Sequence, residues 1–110
     1  MVTELRQRED LEQLLEKSRN DRVLIFKHST QCSVSDAAYD EFRRFLSHSP
    51  DITAAVVLVI ENKSLSDRIA AQFDIRHESP QAIVVEDGRA TWNASHWAIT
   101  ETALLKATSK

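Results

Sequence analysis

The fold is decided by the segment Val23-Leu24-Ile25-Phe26-Lys27-His28-Ser29-Thr30-Gln31-Cys32-Ser33-Val34-Ser35, in which an apolar run leads through a polar turn into a helical pattern. The run from Val23 to Phe26 has none of the gaps of an amphipathic helix, so it predicts a short strand that is buried on both faces. Beyond the turn, apolar side chains recur at helical spacing and predict a helix over residues 33–47: Val34, Ala38, Phe42, Phe45 and Leu46. Cys32 therefore stands between the end of a strand and the start of a helix.

The rest of the chain continues this alternation of helices and strands. Before the segment, three leucines at helical spacing predict an amphipathic helix over residues 8–18: Leu11, Leu14 and Leu15. After it, the sequence predicts a second buried strand from Ala54 to Ile60 and a third from Ala82 to Val85. Between these two strands, a helix has one apolar face, which consists of Leu65, Ile69 and Phe73.

The end of the chain contains a hairpin signal and a last helix. Asp87-Gly88 predicts a tight turn because both of its positions need positive φ, which glycine adopts freely. A fourth strand from Ala90 to Asn93 should then pair antiparallel with the third, and a helix from Ile99 to Ala107 follows. The first two strands flank a helix and should be parallel, joined by a right-handed crossover. We therefore predict an α/β, thioredoxin-like fold, a four-stranded mixed sheet with helices on both faces, in one domain of residues 1–110.

The composition excludes several classes of function. The chain has 14 basic and 17 acidic residues and a net charge of -3, so no basic surface for nucleic acid is expected. Its single glycine excludes glycine-rich phosphate loops. Its single cysteine excludes an intramolecular disulfide and a zinc site of several thiolates, and it fits a reducing compartment.

The sequence also predicts a cytoplasmic location without a membrane partner. The first residues are charged and no apolar stretch follows them, so no signal peptide is expected. The longest apolar run, Ala54 to Ile60, is far too short for a membrane span. No metal site is expected, because the histidines lack the spacing of zinc motifs: His28, His48, His77 and His96.

Cys32 is the first candidate for chemistry. Ligands of open α/β sheets collect beyond the carboxyl ends of the parallel strands, and a helix N-terminus favours the thiolate form of a cysteine. The polar neighbours of Cys32 favour an exposed, reactive thiol over a small buried apolar residue. His28, at the end of the strand, is a candidate for thiolate support, although a strand histidine bonded to a backbone group is the stronger interpretation.

Ser79-Pro80, directly before the third strand, is the second candidate. This strand should run antiparallel to the first, which places Pro80 opposite Cys32 at the rim of the sheet. Two interpretations stay open: a cis peptide bond that turns the preceding backbone toward a substrate, or an ordinary proline at a strand start, where no ladder donor is lost.

Three segments resemble one known family. Residues 26–35, His77-Glu78-Ser79-Pro80-Gln81 and residues 92–100 are similar to segments of the YtxJ family of monothiol bacilliredoxins, whose active site typically reads T-C-P-I-S. The resemblance implies a thioredoxin fold and the removal of bacillithiol from protein mixed disulfides. It also implies that Cys32 is the nucleophile and Pro80 the cis-proline, and that Ser35 stands where dithiol relatives have a resolving cysteine.

The active-site turn departs from that family pattern at two positions. Gln31 replaces the usual threonine, and Ser33 replaces a proline that would stiffen the first helical turn. We expect Gln31 and Ser33 to contact the substrate together with Ser79 and Pro80, and Ser35 to assist catalysis by donating a hydrogen bond to the Cys32 thiolate.

The leading hypothesis is therefore a monothiol thiol–disulfide oxidoreductase. Its expected partners are S-thiolated client proteins, a small thiol such as bacillithiol as co-substrate, and a redoxin or reductase that regenerates Cys32; no bound cofactor is expected. A second hypothesis is a non-catalytic stress or binding module of the same fold. A third is a monothiol carrier of an iron–sulfur cluster or a metal.

Overall fold

In the computed structural model, which describes residues 2–109, the strands form one five-stranded mixed sheet with helices on both faces. The strands are β1 (Val2–Glu4), β2 (Val23–His28), β3 (Thr53–Leu58), β4 (Gln81–Glu86) and β5 (Arg89–Ser95). The helices are α1 (Arg8–Lys17), α2 (Ser33–His48), α3 (Lys63–Phe73) and α4 (Glu101–Thr108), and a 3-10 turn, His96–Ala98, precedes α4. The predicted thioredoxin-like α/β fold is confirmed.

The sheet order is β1-β3-β2-β4-β5, which puts β2 at the centre. β2 pairs parallel with β3, as the crossover argument requires, and antiparallel with β4, which was the second prediction. The prediction of four strands is wrong by one, because Val2–Glu4 adds a short parallel edge strand to β3. Two of its three residues are exposed, so its sequence carries no apolar alternation that could have predicted it.

The hairpin between β4 and β5 forms at the predicted turn. Asp87 has φ 50° and Gly88 has φ 74°, so both central positions are left-handed, as a type I′ turn requires. The Asp87 and Gly88 amides both donate to Ser18, to its carbonyl at 2.6 Å and its hydroxyl at 2.9 Å. These bonds tie the hairpin to the end of α1.

The central strand separates two apolar cores. Ile25 faces one cluster, with residues of α1 and α3, whereas Leu24 and Phe26 face the other, with residues of α2 and α4. All six residues of β2 are buried. Because β2 is covered on both faces, its last residues and the start of α2 are held in a fixed position at one edge of the sheet.

Candidate active site

Cys32 is the N-cap residue of α2, directly after the turn that leaves β2. Its backbone is extended, with φ -131° and ψ 123°, and its carbonyl accepts the Asp36 amide at 3.0 Å. The residue is a partly exposed free cysteine. The first amides of a helix lack backbone acceptors and concentrate partial positive charge, so this position favours an anionic sulfur.

The turn in front of Cys32 is held from inside by Ser35. Its side chain is fully buried; the Ser29 amide donates to Oγ at 2.9 Å, and His28 Nδ1 lies 2.7 Å from the same oxygen. Burial lowers the pKa of His28, so its ring is neutral near pH 7, and Nδ1 shares a hydrogen bond with the Ser35 hydroxyl. The hydroxyl therefore links the end of β2 to the first turn of α2.

His28 is packed as well as bonded. Its ring stacks on Tyr39 with centroids 4.6 Å apart and an interplanar angle of 16°, and only 8% of the residue is exposed. Its described partner is the Ser35 side chain rather than a backbone group. Within residues 2–109, neither His28 nor Ser35 hydrogen-bonds the Cys32 sulfur, so their predicted support of the thiolate stays a prediction.

The buried link through Ser35 can be tested by its contribution to stability. Ser35→Ala leaves His28 Nδ1 and the Ser29 amide without their partner, so we expect the free energy of unfolding to fall by about 1–3 kcal/mol. Urea denaturation measures this loss. Ser47→Ala is the matched control on the same helix, since its exposed hydroxyl bonds only the Arg44 carbonyl. Equal stabilities of the two variants would contradict the assignment.

Pro80 lies at the same edge of the sheet as Cys32. β4 runs antiparallel to β2 with Lys27 opposite Gln81, so the start of β4 lies beside the end of β2. The Ser79–Pro80 peptide bond is cis, as the first of the two interpretations requires, and its role toward a substrate stays a prediction. The Pro80 carbonyl accepts the His96 amide at 3.1 Å, and the buried Ser79 Oγ has no partner among the described residues.

The neighbours of Cys32 in the chain are polar, and an exposed tryptophan follows the residue whose amide bonds Pro80. Gln31 and Ser33 flank Cys32 and are exposed. Trp97 follows His96 in the 3-10 turn and is 71% exposed, whereas Trp92 packs against the core beside α2. The geometry thus gathers Cys32, its flanking residues and the cis-proline at one edge, and places Ser35 and His28 beneath.

One buried group of this edge was missed in the sequence. Lys27 is fully buried, and its ammonium contacts the Ser66 carbonyl and His77. The available signal was a lysine within a strand that is otherwise buried on both faces, because an unpaired ammonium is costly inside a protein.

The structure also limits the other classes of site. Within residues 2–109, no group of three or more His, Cys, Asp and Glu side chains is arranged to hold a metal ion. Over the same residues, none of the helices has the length and apolar character needed to cross a membrane.

Comparison with known proteins agrees with the fold. A solved structure described as having a thioredoxin fold is 34% identical, with a TM-score of 0.88 over 98% of this chain and 94% of the other. Thioredoxin from Fasciola hepatica is 17% identical, with a TM-score of 0.79 over 96% and 95% of the two chains. Mitochondrial thioredoxin 3 from Saccharomyces cerevisiae is 18% identical, with a TM-score of 0.75 over 97% and 92%.

These structures share the fold of this chain, and a match to a family model identifies its family. The model of the monothiol bacilliredoxin BrxC matches residues 3–104, which include both the Cys32 turn and the cis-proline loop. The predicted resemblance to monothiol bacilliredoxins is confirmed, and a thiol–disulfide oxidoreductase-like role follows from it. The chain belongs to the monothiol bacilliredoxin BrxC family.

Proposed function

We propose that this protein removes a small thiol, such as bacillithiol, from mixed disulfides on client proteins. The observation that carries the proposal is the sole cysteine of the chain, partly exposed at the N-cap of α2 and at the same edge of the sheet as a cis-proline. A helix N-terminus stabilises the thiolate that disulfide exchange requires. A second cysteine, which a dithiol reductase needs, is absent from the sequence.

The first step exchanges one disulfide for another. The Cys32 thiolate attacks the small-thiol sulfur of the mixed disulfide, and the bond between that sulfur and the client sulfur breaks. The client leaves as a thiolate and takes a proton from water, while the small thiol stays on Cys32 as a new disulfide. No net oxidation occurs, because one S–S bond forms as one breaks.

The second step needs a thiol from outside the chain. A second molecule of the small thiol, as its thiolate, attacks the adduct and leaves as a symmetric small-thiol disulfide, which frees Cys32. Alternatively, the thiol of another redoxin takes over the adduct. A redoxin or reductase must then reduce the product, since this chain has no resolving cysteine.

The residues around Cys32 supply client contacts. Gln31 and Ser33 are exposed on either side of the sulfur and would meet the small thiol. Ser79 and Pro80 are at the same edge of the sheet, where they would receive a client backbone by short main-chain contacts.

Mass spectrometry of a single turnover tests the proposal. A bacillithiol-modified protein is mixed with an equal amount of reduced enzyme, without free small thiol. We expect the client to lose one bacillithiol and the enzyme to gain one, on Cys32. A matched client modified with glutathione tests which small thiol is accepted.

Two results would oppose the proposal. An enzyme that stays unmodified while the client keeps its adduct would favour the non-catalytic module. Iron or another metal that copurifies after anaerobic preparation, with no thiol transfer, would favour the carrier hypothesis.

A further inference from the structure

The loop that carries the cis-proline rests on a buried lysine. Lys27 is fully buried in β2, and its Nζ donates to the Ser66 carbonyl at 3.1 Å and to His77 Nδ1 at 3.0 Å. Ser66 belongs to α3, whereas His77 lies in the loop between α3 and β4. One ammonium therefore joins the central strand, a helix and the loop that ends in Pro80.

A second buried side chain supports the same loop from the neighbouring strand. Gln81 lies opposite Lys27 in the ladder between β2 and β4, so both side chains are on the same face of the sheet. Gln81 is 1% exposed, and its Nε2 donates to the Arg76 carbonyl at 3.1 Å. The loop is thus bonded at Arg76 and at His77, shortly before the cis-proline that lies at the same edge of the sheet as Cys32.

The bond between Lys27 and His77 requires one protonation state of the ring. An ammonium only donates, so Nδ1 must be unprotonated and His77 neutral, with its proton on Nε2. Burial and the charge of Lys27 both lower the pKa of His77, whereas burial lowers the pKa of Lys27 to about 8. Near pH 7 the lysine is therefore still mostly protonated and the ring is neutral.

Other charges face this pair from the surrounding elements. Asp67 of α3 lies close enough to favour the charged form of both Lys27 and His77. Glu78 of the loop favours a protonated His77, and Lys63 of α3 opposes it. From β4 the neutral Gln81 side chain faces Lys27. The balance leaves one ammonium, held between a carbonyl and a neutral imidazole.

We propose that Lys27 is a positioning residue, whose bond to His77 holds the loop from Arg76 to Pro80 in the geometry that receives the client protein. This inference rests on the proposed function and assigns to it a residue that never touches the substrate. The bond is lost when His77 takes a second proton, because two cations then lie 3.0 Å apart without an acceptor.

Substitution of Lys27 separates client binding from thiol chemistry. In Lys27→Met the buried stem keeps its packing but loses the donor, so we expect KM for the S-thiolated protein to rise about tenfold, with kcat within about twofold. The rate at which iodoacetamide alkylates Cys32 should stay within about twofold of wild type. Lys63→Met is the control, since it removes a nearby exposed charge that makes no bond to His77. An unchanged KM in Lys27→Met would overturn the proposal.

The pH profile gives a second measure. For wild type, kcat/KM should show an acid limb below the ordinary histidine value of 6.5, because the bond fails as His77 gains its second proton. His77→Asn keeps an acceptor for Lys27 that does not titrate, so the part of this limb that comes from His77 should be lost, while the activity at pH 7.5 stays within about twofold. An acid limb that is identical in both proteins would contradict the assignment.

Nuclear magnetic resonance tests the bond without any client protein. The nitrogen shifts of His77 should report an unprotonated Nδ1 and a protonated Nε2 at pH 7.5, and the Glu78 and Ser79 amides should exchange at least about fivefold faster in Lys27→Met. If wild type transfers no thiol but these signals hold, the proposed function fails and the anchored loop stands. A ring protonated on Nδ1 at this pH would overturn the anchor itself.

Discussion

Replacing Cys32 with alanine should abolish thiol release from S-thiolated client proteins. Every step of the proposed reaction passes through this sulfur, and the chain has no second thiol that could substitute for it. We expect the enzyme-dependent rate to fall by at least about a thousandfold, to the background of free thiol exchange. The measurement is the rate at which a bacillithiol-modified protein loses its adduct and regains its free thiol, with free bacillithiol present as the regenerating thiol.

Two further observations show whether the loss is chemical. Cys32→Ser keeps the size and polarity of the side chain but replaces the thiolate by a poor nucleophile, so it should be equally inactive. Both variants should unfold within about 0.5 kcal/mol of wild type, since the side chain is partly exposed and makes no described side-chain hydrogen bond. A serine variant that retained more than about a tenth of the rate would contradict nucleophilic catalysis by Cys32.

The second large effect concerns the helix that presents Cys32. Phe42 of α2 is fully buried and stacks on Phe26 of β2 with centroids 4.9 Å apart and an interplanar angle of 16°. Phe42→Ala should lower the free energy of unfolding by about 3–5 kcal/mol, because it leaves a cavity and removes an aromatic contact. This is a large share of the roughly 5–15 kcal/mol that stabilises a domain of this size.

Urea denaturation measures that loss, and α4 supplies the control. Leu105 is 39% exposed, so Leu105→Ala should cost less than about 1 kcal/mol although it also truncates a large apolar side chain. If the two variants lost similar stability, Phe42 would not be the principal contact that fixes α2 on the sheet. A Phe42→Ala protein that stays folded should retain activity at low temperature.

Strongly patterned elements were predictable from the sequence because their local signals and their tertiary roles agree. The apolar composition of its first residues was enough to predict β2 as a buried strand, and all six of its residues are buried. The local backbone preferences of Asp87 and Gly88 were enough to predict the turn, and both residues adopt positive φ. The edge strand β1 had neither signal, since it exists by hydrogen-bonding to β3 and its side chains face solvent at two of three positions.

The candidate site also has a part that the sequence predicts and a part that only the structure shows. The place of Cys32 between a strand and a helix follows from the periodicity on either side of it. Its bonded surroundings do not, because Ser35 and His28 meet only once the turn folds back, and Lys27 and His77 are far apart along the chain. Lysine and histidine are ordinary surface residues in a sequence, and only burial makes their pairing necessary.

The sequence by itself determined the order of the main elements, the antiparallel hairpin and the single thiol at a helix start. These follow from side-chain periodicity and local backbone preference, which act over a few neighbouring residues. The tertiary structure alone decided that β1 joins the sheet, that the Ser79–Pro80 bond is cis and that Lys27 supports the proline loop. β1 and Lys27 find their hydrogen-bond partners in remote parts of the chain. A buried polar group is costly when it is unpaired, and which groups are buried together is decided only in the folded protein.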